Sequence, residues 1–229
     1  MNVFKDIKPP KVIFETDSKY NGHIQIIEVG HTRKLAVDGV IQSVNWDSPS
    51  INSLVWGNMA DLIEEQVPNA TNLLMFGLGG GSMQHLLSQK MPQLSIVSVE
   101  IDPIMVEVAK NYFDLDKIQN HKVIVEDALR AIVEPEKHGL EYGTFDVIVV
   151  DIYCGEKYPD LGKSGNFLAN LKKLAAGGGL VVFNRIYVTH HQEEVNVFIE
   201  SLSEFFTSVE IKTVAGKTNS DNVLIYCRA

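Results

Sequence analysis

The chain has 229 residues, 45% of them hydrophobic, and a formal net charge of −9. This length suits one α/β domain with a small appendage, and the apolar content argues against disorder. The acidic balance speaks against nucleic-acid binding, and no apolar run nears the ~18 residues that span a bilayer.

The N-terminal MNVFKDIKPPKVIF lacks an apolar h-region and cleavage site, so a cytoplasmic location is the expectation. Cys154 and Cys227 form neither a CxxC nor a zinc spacing, which points to reduced thiols and no metal.

Residues 1–48 read as a small antiparallel β meander. Asn21-Gly22 and Asp38-Gly39 are hairpin turn signals, and HIQIIEV, KLAVD and VIQSV between and around them are β-branched and partly alternating. A helix follows from about Ser50, which is placed to cap it. Its apolar positions are Ile51, Leu54, Val55, Met59, Leu62 and Ile63, and it stops at Pro68-Asn69.

From Asn72 onward strands and helices alternate. NLLMFGLG, LSIVSVEID, HKVIVED, FDVIVVDIY and GGLVVFN read as strands, with helices over 81–90, 103–113, 128–133, 163–175 and 190–206. SVEIKTVA and NVLIYCR close the chain. Gly216–Asp221 between them is too short for a crossover helix, so these two strands are antiparallel neighbours. The pattern is a Rossmann-like, mostly parallel sheet whose last strand is antiparallel, over residues 49–229.

Ligands of such sheets bind at the carboxyl ends of the strands. The first strand there runs into Gly77-Leu78-Gly79-Gly80-Gly81, where glycines permit positive φ and close backbone approach, in a ligand loop or a plain turn. Twenty-three residues after Gly77, Glu100 ends the second strand. A carboxylate there accepts hydrogen bonds from ribose hydroxyls, or simply favours a helix start, a role that suits Asp102 before Pro103 better. Asp127 ends the third strand, where it either accepts from an adenine amino group, with the backbone at Ala128 completing the contact, or caps the next helix. Asp151 ends the fourth. A dinucleotide site is the less favoured reading, because it needs no carboxylates on strands three and four and because Ser82 breaks GxGxxG.

The run GLGGGSM, VSVEIDP, VAKNYF, VEDAL, FDVIVVDIY is similar to the spermidine and spermine synthases and their methyltransferase-like relatives. Leu35–Gln42 resembles the family's LxLDGxIQ hairpin. The resemblance implies a class I methyltransferase fold. It implies that Glu100 holds the ribose and Asp127 the adenine, that Gln42 reaches the amino-acid or aminopropyl end, and that Asp151 accepts a proton from the attacking amine. It also implies a homodimer through the N-terminal β region.

The departures carry weight. The family's GGGDGG loop aspartate is read here at Gly80. Its second acceptor-loop aspartate falls at Cys154, and its Tyr-His-Glu sequence is met only by Ile51-Asn52-Ser53. The expectation is therefore a transferase using S-adenosylmethionine to methylate a small acceptor, possible amines among them. The alternatives are an aminopropyltransferase using decarboxylated S-adenosylmethionine with an altered acceptor site, and a catalytically silent nucleoside-binding module.

Tyr153 and Tyr158, with Lys157, lie in the loop after Asp151 and are candidates to line the acceptor pocket. Asp146, at the opposite strand end, reads as structural. His190-His191 read as surface residues, His85 as partly exposed on a helix, and Trp46 and Trp56 as core or dimer-contact aromatics.

Overall fold

The structure, a computed structural model, describes residues 9–153, 165–187, 192–216 and 221–229. Two sheets organise it. The N-terminal sheet has the order β1-β2-β3-β4, with β1 Lys11–Ser18, β2 Gly22–Val29, β3 Thr32–Val37 and β4 Val40–Val44, all neighbours antiparallel. Asp38 and Gly39 both take positive φ, 47° and 81°, as a tight hairpin with right-twisted strands demands.

The second sheet contains β5 Asn72–Phe76, β6 Ser95–Glu100, β7 His121–Val125, β8 Phe145–Val150, β9 Ala175–Tyr187, β10 Thr207–Val214 and β11 Asp221–Arg228, in the order β10-β11-β9-β8-β5-β6-β7. The strands β5 to β9 pair in parallel, while β11 runs antiparallel to both β9 and β10. This is the mostly parallel, Rossmann-like sheet expected.

The helices are α1 Val55–Gln66, α2 Ser82–Lys90, α3 Pro103–Phe113, α4 Ala128–Val133, α5 Gly165–Leu174 and α6 Gln192–Leu202. None among the described residues is long and apolar enough to cross a membrane. Ser50 does not cap α1: a single 3-10 turn, Ile51–Ser53, intervenes, and Leu54 takes the N-cap place without a side-chain bond. The helix begins later because Leu54 is extended, with ψ 171°.

Both faces of β8 are covered, as its unbroken apolar run implies. Val147 and Val149 join Leu73, Met75, Met59 and Leu87 on one side, and Ile148 and Val150 join Leu74, Phe76, Phe167 and Phe198 on the other. The N-terminal sheet packs Ile24, Ile26, Leu35 and Val37 onto Met105, Val108 and Phe113 of α3. Asp102 ties the two parts. It caps α3 at Ile104 N (2.9 Å), and it accepts from Asn21 Nδ2 (2.6 Å) and from the Ser18 hydroxyl.

Candidate nucleoside and acceptor site

A cavity of about 730 Å³ opens where β4, the loop after β5, and the carboxyl ends of β6, β8 and β9 converge. Its floor is the glycine loop. Gly77 donates to Val99 O (2.9 Å), Asp151 N donates to Phe76 O (2.9 Å), and Gly77 has φ 100°. A Cβ at Gly77 would overlap the Asp151 carbonyl oxygen, so only glycine lets the chain turn here between β6 and β8. Gly79, with φ 55°, passes under Gln42 and Ser43 of the β3–β4 hairpin.

Gln42, Gly77, Gly79, Glu100, Asp127, Ala128, Asp151 and Tyr153 all lie on the cavity wall. Gly80 and Gly81 do not. An added Cβ would meet Phe113 and Ser43 at Gly80 and Leu115 at Gly81. Laid over GGGDGG from the end of β5, Gly77-Leu78-Gly79-Gly80-Gly81-Ser82 puts the aspartate's place at Gly80, and Ser82, two residues on, borders the cavity. The Ser82 hydroxyl donates to the Val44 carbonyl and pairs with Ser43 Oγ (2.6 Å), so it is engaged within the protein, and the loop Gly77–Ser82 carries no carboxylate. Tyr158 lies outside the described residues, as do Cys154, Lys157, His190 and His191.

Glu100 is 8% exposed and is held from both sides. Leu78 N donates to Oε2 (3.1 Å) and Asp102 N to Oε1 (3.0 Å). Burial pushes its carboxyl up to about 7, helped by the Asp102 charge and opposed by the backbone donors. A carboxyl so placed lacks only partners from the cavity side, which is what a ribose diol supplies.

Asp127 caps α4 through Oδ1, accepting from Leu129 N (2.7 Å) and Arg130 N (3.3 Å). Capping occupies one oxygen, and the residue also faces the cavity, so the two readings of Asp127 coexist.

At the other end of the cavity, burial pushes Asp151 up to about 6, while a hydrogen bond from Asn184 Nδ2 (2.8 Å) pulls it back. Asn222 Nδ2 donates in turn to Asn184 Oδ1 (3.0 Å), and the Tyr153 hydroxyl donates to the Asn184 carbonyl (2.8 Å). Asn184 and Asn222 line the cavity and were not singled out from the sequence. Asn184 had a signal: it interrupts the apolar GGLVVFN where that strand reaches the ligand edge, as Glu100 and Asp151 do on theirs. Trp56 packs against the core on the α1 side, as expected, and also lines the cavity. His85 is buried, stacks on Trp46 at 5.2 Å between centroids and bonds the Phe113 carbonyl, instead of being partly exposed. Asp146 accepts from Thr71 N (2.8 Å) and Asn72 N (3.1 Å), at the strand end away from the cavity.

Among the described residues no cluster of His, Cys, Asp or Glu is arranged to hold a metal ion. The residues do fit a nucleoside. A glycine turn without room for a side chain lies beside a buried carboxyl with backbone amides behind it and open space in front.

Comparison with known proteins agrees with this geometry. The family model described as "Spermine/spermidine synthase domain" matches residues 57–229. An eEF1A lysine and N-terminal methyltransferase homolog of Drosophila pseudoobscura pseudoobscura is 30% identical over 160 residues, 68% of this chain and 23% of that protein. A polyamine aminopropyltransferase of Vibrio vulnificus is 28% identical over 149 residues, 65% of this chain and 49% of that protein. The chain thus spans between about a quarter and half the length of these curated relatives. Spermidine synthase from Thermotoga maritima superposes with a TM-score of 0.77 at 14% identity, covering 96% of this chain and 73% of the other. Human methyltransferase-like protein 13, solved in complex with SAH, superposes with a TM-score of 0.58 at 25% identity, covering 76% and 80%.

Proposed function

Because the chain belongs to the spermine/spermidine synthase domain family, we propose that it is a transferase that binds S-adenosylmethionine in this cavity and methylates an amine-bearing acceptor held against Asp151. Glu100 takes the ribose hydroxyls and Asp127 with Ala128 the adenine. Gln42 and the loop Gly77–Gly79 border the amino-acid tail. When bound, S-adenosylmethionine supplies a methyl carbon already activated by a cationic sulfur, so the protein need not assist the leaving group. Its work is alignment and delivery of an unprotonated amine.

A simple amine has a pKa near ~10 and is mostly ammonium at neutral pH. Asp151, at about 6, is mostly ionised there. It attracts the ammonium, takes its proton and fixes the direction of the nitrogen lone pair. The amine nitrogen then bonds to the methyl carbon as the carbon–sulfur bond breaks and its electron pair stays on sulfur.

The observation that favours methyl over aminopropyl transfer is a glycine loop without a carboxylate, with Gly80 where the family has its aspartate. The tail of decarboxylated S-adenosylmethionine ends in an ammonium and wants a carboxylate, whereas the intact tail is a zwitterion and suits hydroxyls and amides. The carboxylates on the described wall are Glu100, Glu126, Asp127 and Asp151, and three of these sit at the nucleoside end. Aminopropyl transfer is the second reading. It is favoured by the β3–β4 hairpin with Gln42 over the cavity and by the aminopropyltransferase relative.

Two units, 1–48 and 49–229, a homodimer through the N-terminal sheet and a cytoplasmic location belong to the same reading. Val12 and Ile41 stand exposed on that sheet.

Thermal-shift titrations with S-adenosylmethionine, its decarboxylated form and methylthioadenosine test the proposal. A ligand at ~100 times its Kd adds about 2.7 kcal/mol of stability. Preference for the intact form is expected. Preference for the decarboxylated form would make the protein an aminopropyltransferase, binding without turnover on amines would make it a silent module, and no binding of any of the three would end the proposal.

A further inference from the structure

We propose that Asn184 and Asn222 form a polarised amide relay that holds the Asp151 carboxylate ionised and aimed into the cavity, and that Asn184 is the positioning residue of the transfer. This deepens the methyl-transfer reading, on which its catalytic meaning rests.

The relay follows from the strand register. β8 and β9 are parallel with Val150 opposite Phe183, so Asp151 and Asn184 are the next pair outward, where β8 ends. On antiparallel β11, Asn222 lies opposite Ile186 and Leu224 opposite Asn184. Asn222 and Asn184 are thus diagonal neighbours on one face, within side-chain reach. Three strands far apart in sequence deliver three short polar side chains to one line: Asn222 Nδ2 to Asn184 Oδ1 (3.0 Å), then Asn184 Nδ2 to Asp151 Oδ1 (2.8 Å).

An ionised carboxylate only accepts hydrogen bonds, whereas an amide has a donor end and an acceptor end. The chain therefore has a single consistent polarity when Asp151 is charged. Asn184 turned over would set its carbonyl oxygen against the carboxylate. Asn222 opposes that flip by donating to the Asn184 oxygen, and the Tyr153 hydroxyl anchors the Asn184 main chain (2.8 Å). The Asn184 side chain is almost fully buried, so water does not compensate a lost partner.

The identity of the donor matters for the acceptor. A lysine or arginine beside Asp151 would also favour its ionised form, but it would repel an incoming ammonium. A neutral amide supports the charge without that repulsion. The nearest cation along the strand, Arg185, points to the opposite face, over the Phe198 ring (4.8 Å) and towards Glu194 (3.7 Å). The other ionisable residues on the described cavity wall are Tyr20 from the β1–β2 turn, Lys34 from β3, Glu100 from β6, Glu126 and Asp127 after β7, and Tyr153.

The test reads Asp151 directly, by carbon-13 NMR of its carboxyl through a pH titration of the full chain, with and without S-adenosylhomocysteine. Asn184→Ala is expected to move the Asp151 midpoint up by about one unit, the scale of a lost bond to a charged group. Asn222→Ala should move it less, and Asn222→Asp more than Asn222→Ala, since it adds an acceptor and a charge. The acid limb of the kcat profile should follow the same order, with KM for S-adenosylmethionine changed little. An unchanged midpoint in both Asn222 variants would overturn the relay, and if Asn184→Ala does not fold those two variants decide. The carboxyl titration needs no turnover. A wild-type protein that binds no S-adenosylmethionine would sink the function proposed above while leaving the relay to stand or fall on the NMR.

Discussion

The two ends of the cavity are built by different means. The proposed nucleoside end is made of main chain and near neighbours in sequence: Gly77 and Leu78 after β5, and Glu100 with the Asp102 amide two residues on. The acceptor end is made of side chains from three strands, with Asp151 and Asn184 33 positions apart and Asn184 and Asn222 38 apart. A site formed by local backbone is tied to the fold, whereas one formed by distant side chains can be rewritten by single substitutions. This fits a family whose members share a scaffold while their names divide between aminopropyl and methyl transfer.

Substitutions at each end sharpen the contrast. Gly77→Ala should do the most damage, because the new Cβ meets the Asp151 carbonyl at a φ that disfavours alanine. A loss of about 2–4 kcal/mol is expected, read as a lower unfolding midpoint in urea. Asp151→Asn should leave the fold and the binding of S-adenosylhomocysteine in place while lowering methyl transfer about 10²–10⁴-fold in single-turnover assays. Equal losses of binding and turnover would mean that the two ends are not separable.

Glu100→Gln should split binding from stability. Affinity for the nucleoside should fall about 10–100-fold as charge-assisted hydrogen bonds are lost. The unliganded protein should become more stable at pH 8. The Glu100 pKa is raised on folding from 4.5 to about 7, so its contribution is fully present below 4.5 and lost as pH rises through 7. Glutamine removes that burden, a gain of about 1–3 kcal/mol on a denaturant curve at pH 8.

His121 gives the smallest effect and the opposite sign. Burial, with a lesser push from His85, lowers it from 6.5 to about 4, and it bonds Ser98 Oγ at 2.9 Å away from the cavity. Its contribution is present above 6.5 and lost as pH falls through 4. His121→Gln should flatten the acid side of the stability profile without altering ligand binding.

How much could be read beforehand follows the same division. The βα alternation and the antiparallel final pair were legible because β8 is apolar from Val147 to Val150 and Gly216–Asp221 is short. The place of Glu100 on the cavity wall was legible because it stands at the end of one strand a fixed distance after one loop. The missing loop aspartate was legible at Gly80, whereas only backbone direction tells that a Cβ there would meet Phe113 while Ser82 borders the cavity. Asn184 and Asn222 were missed because nothing local marks them as partners; their meeting depends on the register of β9 with β11. His85 looked exposed because Trp46 and Phe113, which meet it, come from other parts of the chain.

The central claim is that the buried Glu100 carboxylate must be ionised to grip the ligand's sugar. Calorimetric titration of S-adenosylhomocysteine into the wild-type protein and Glu100→Gln from pH 5.5 to 8.5 measures this directly. Wild-type affinity should weaken as pH falls below about 7, approaching tenfold per unit, with proton release on binding that vanishes in the glutamine variant. A wild-type affinity indifferent to pH and matched by Glu100→Gln would contradict the account.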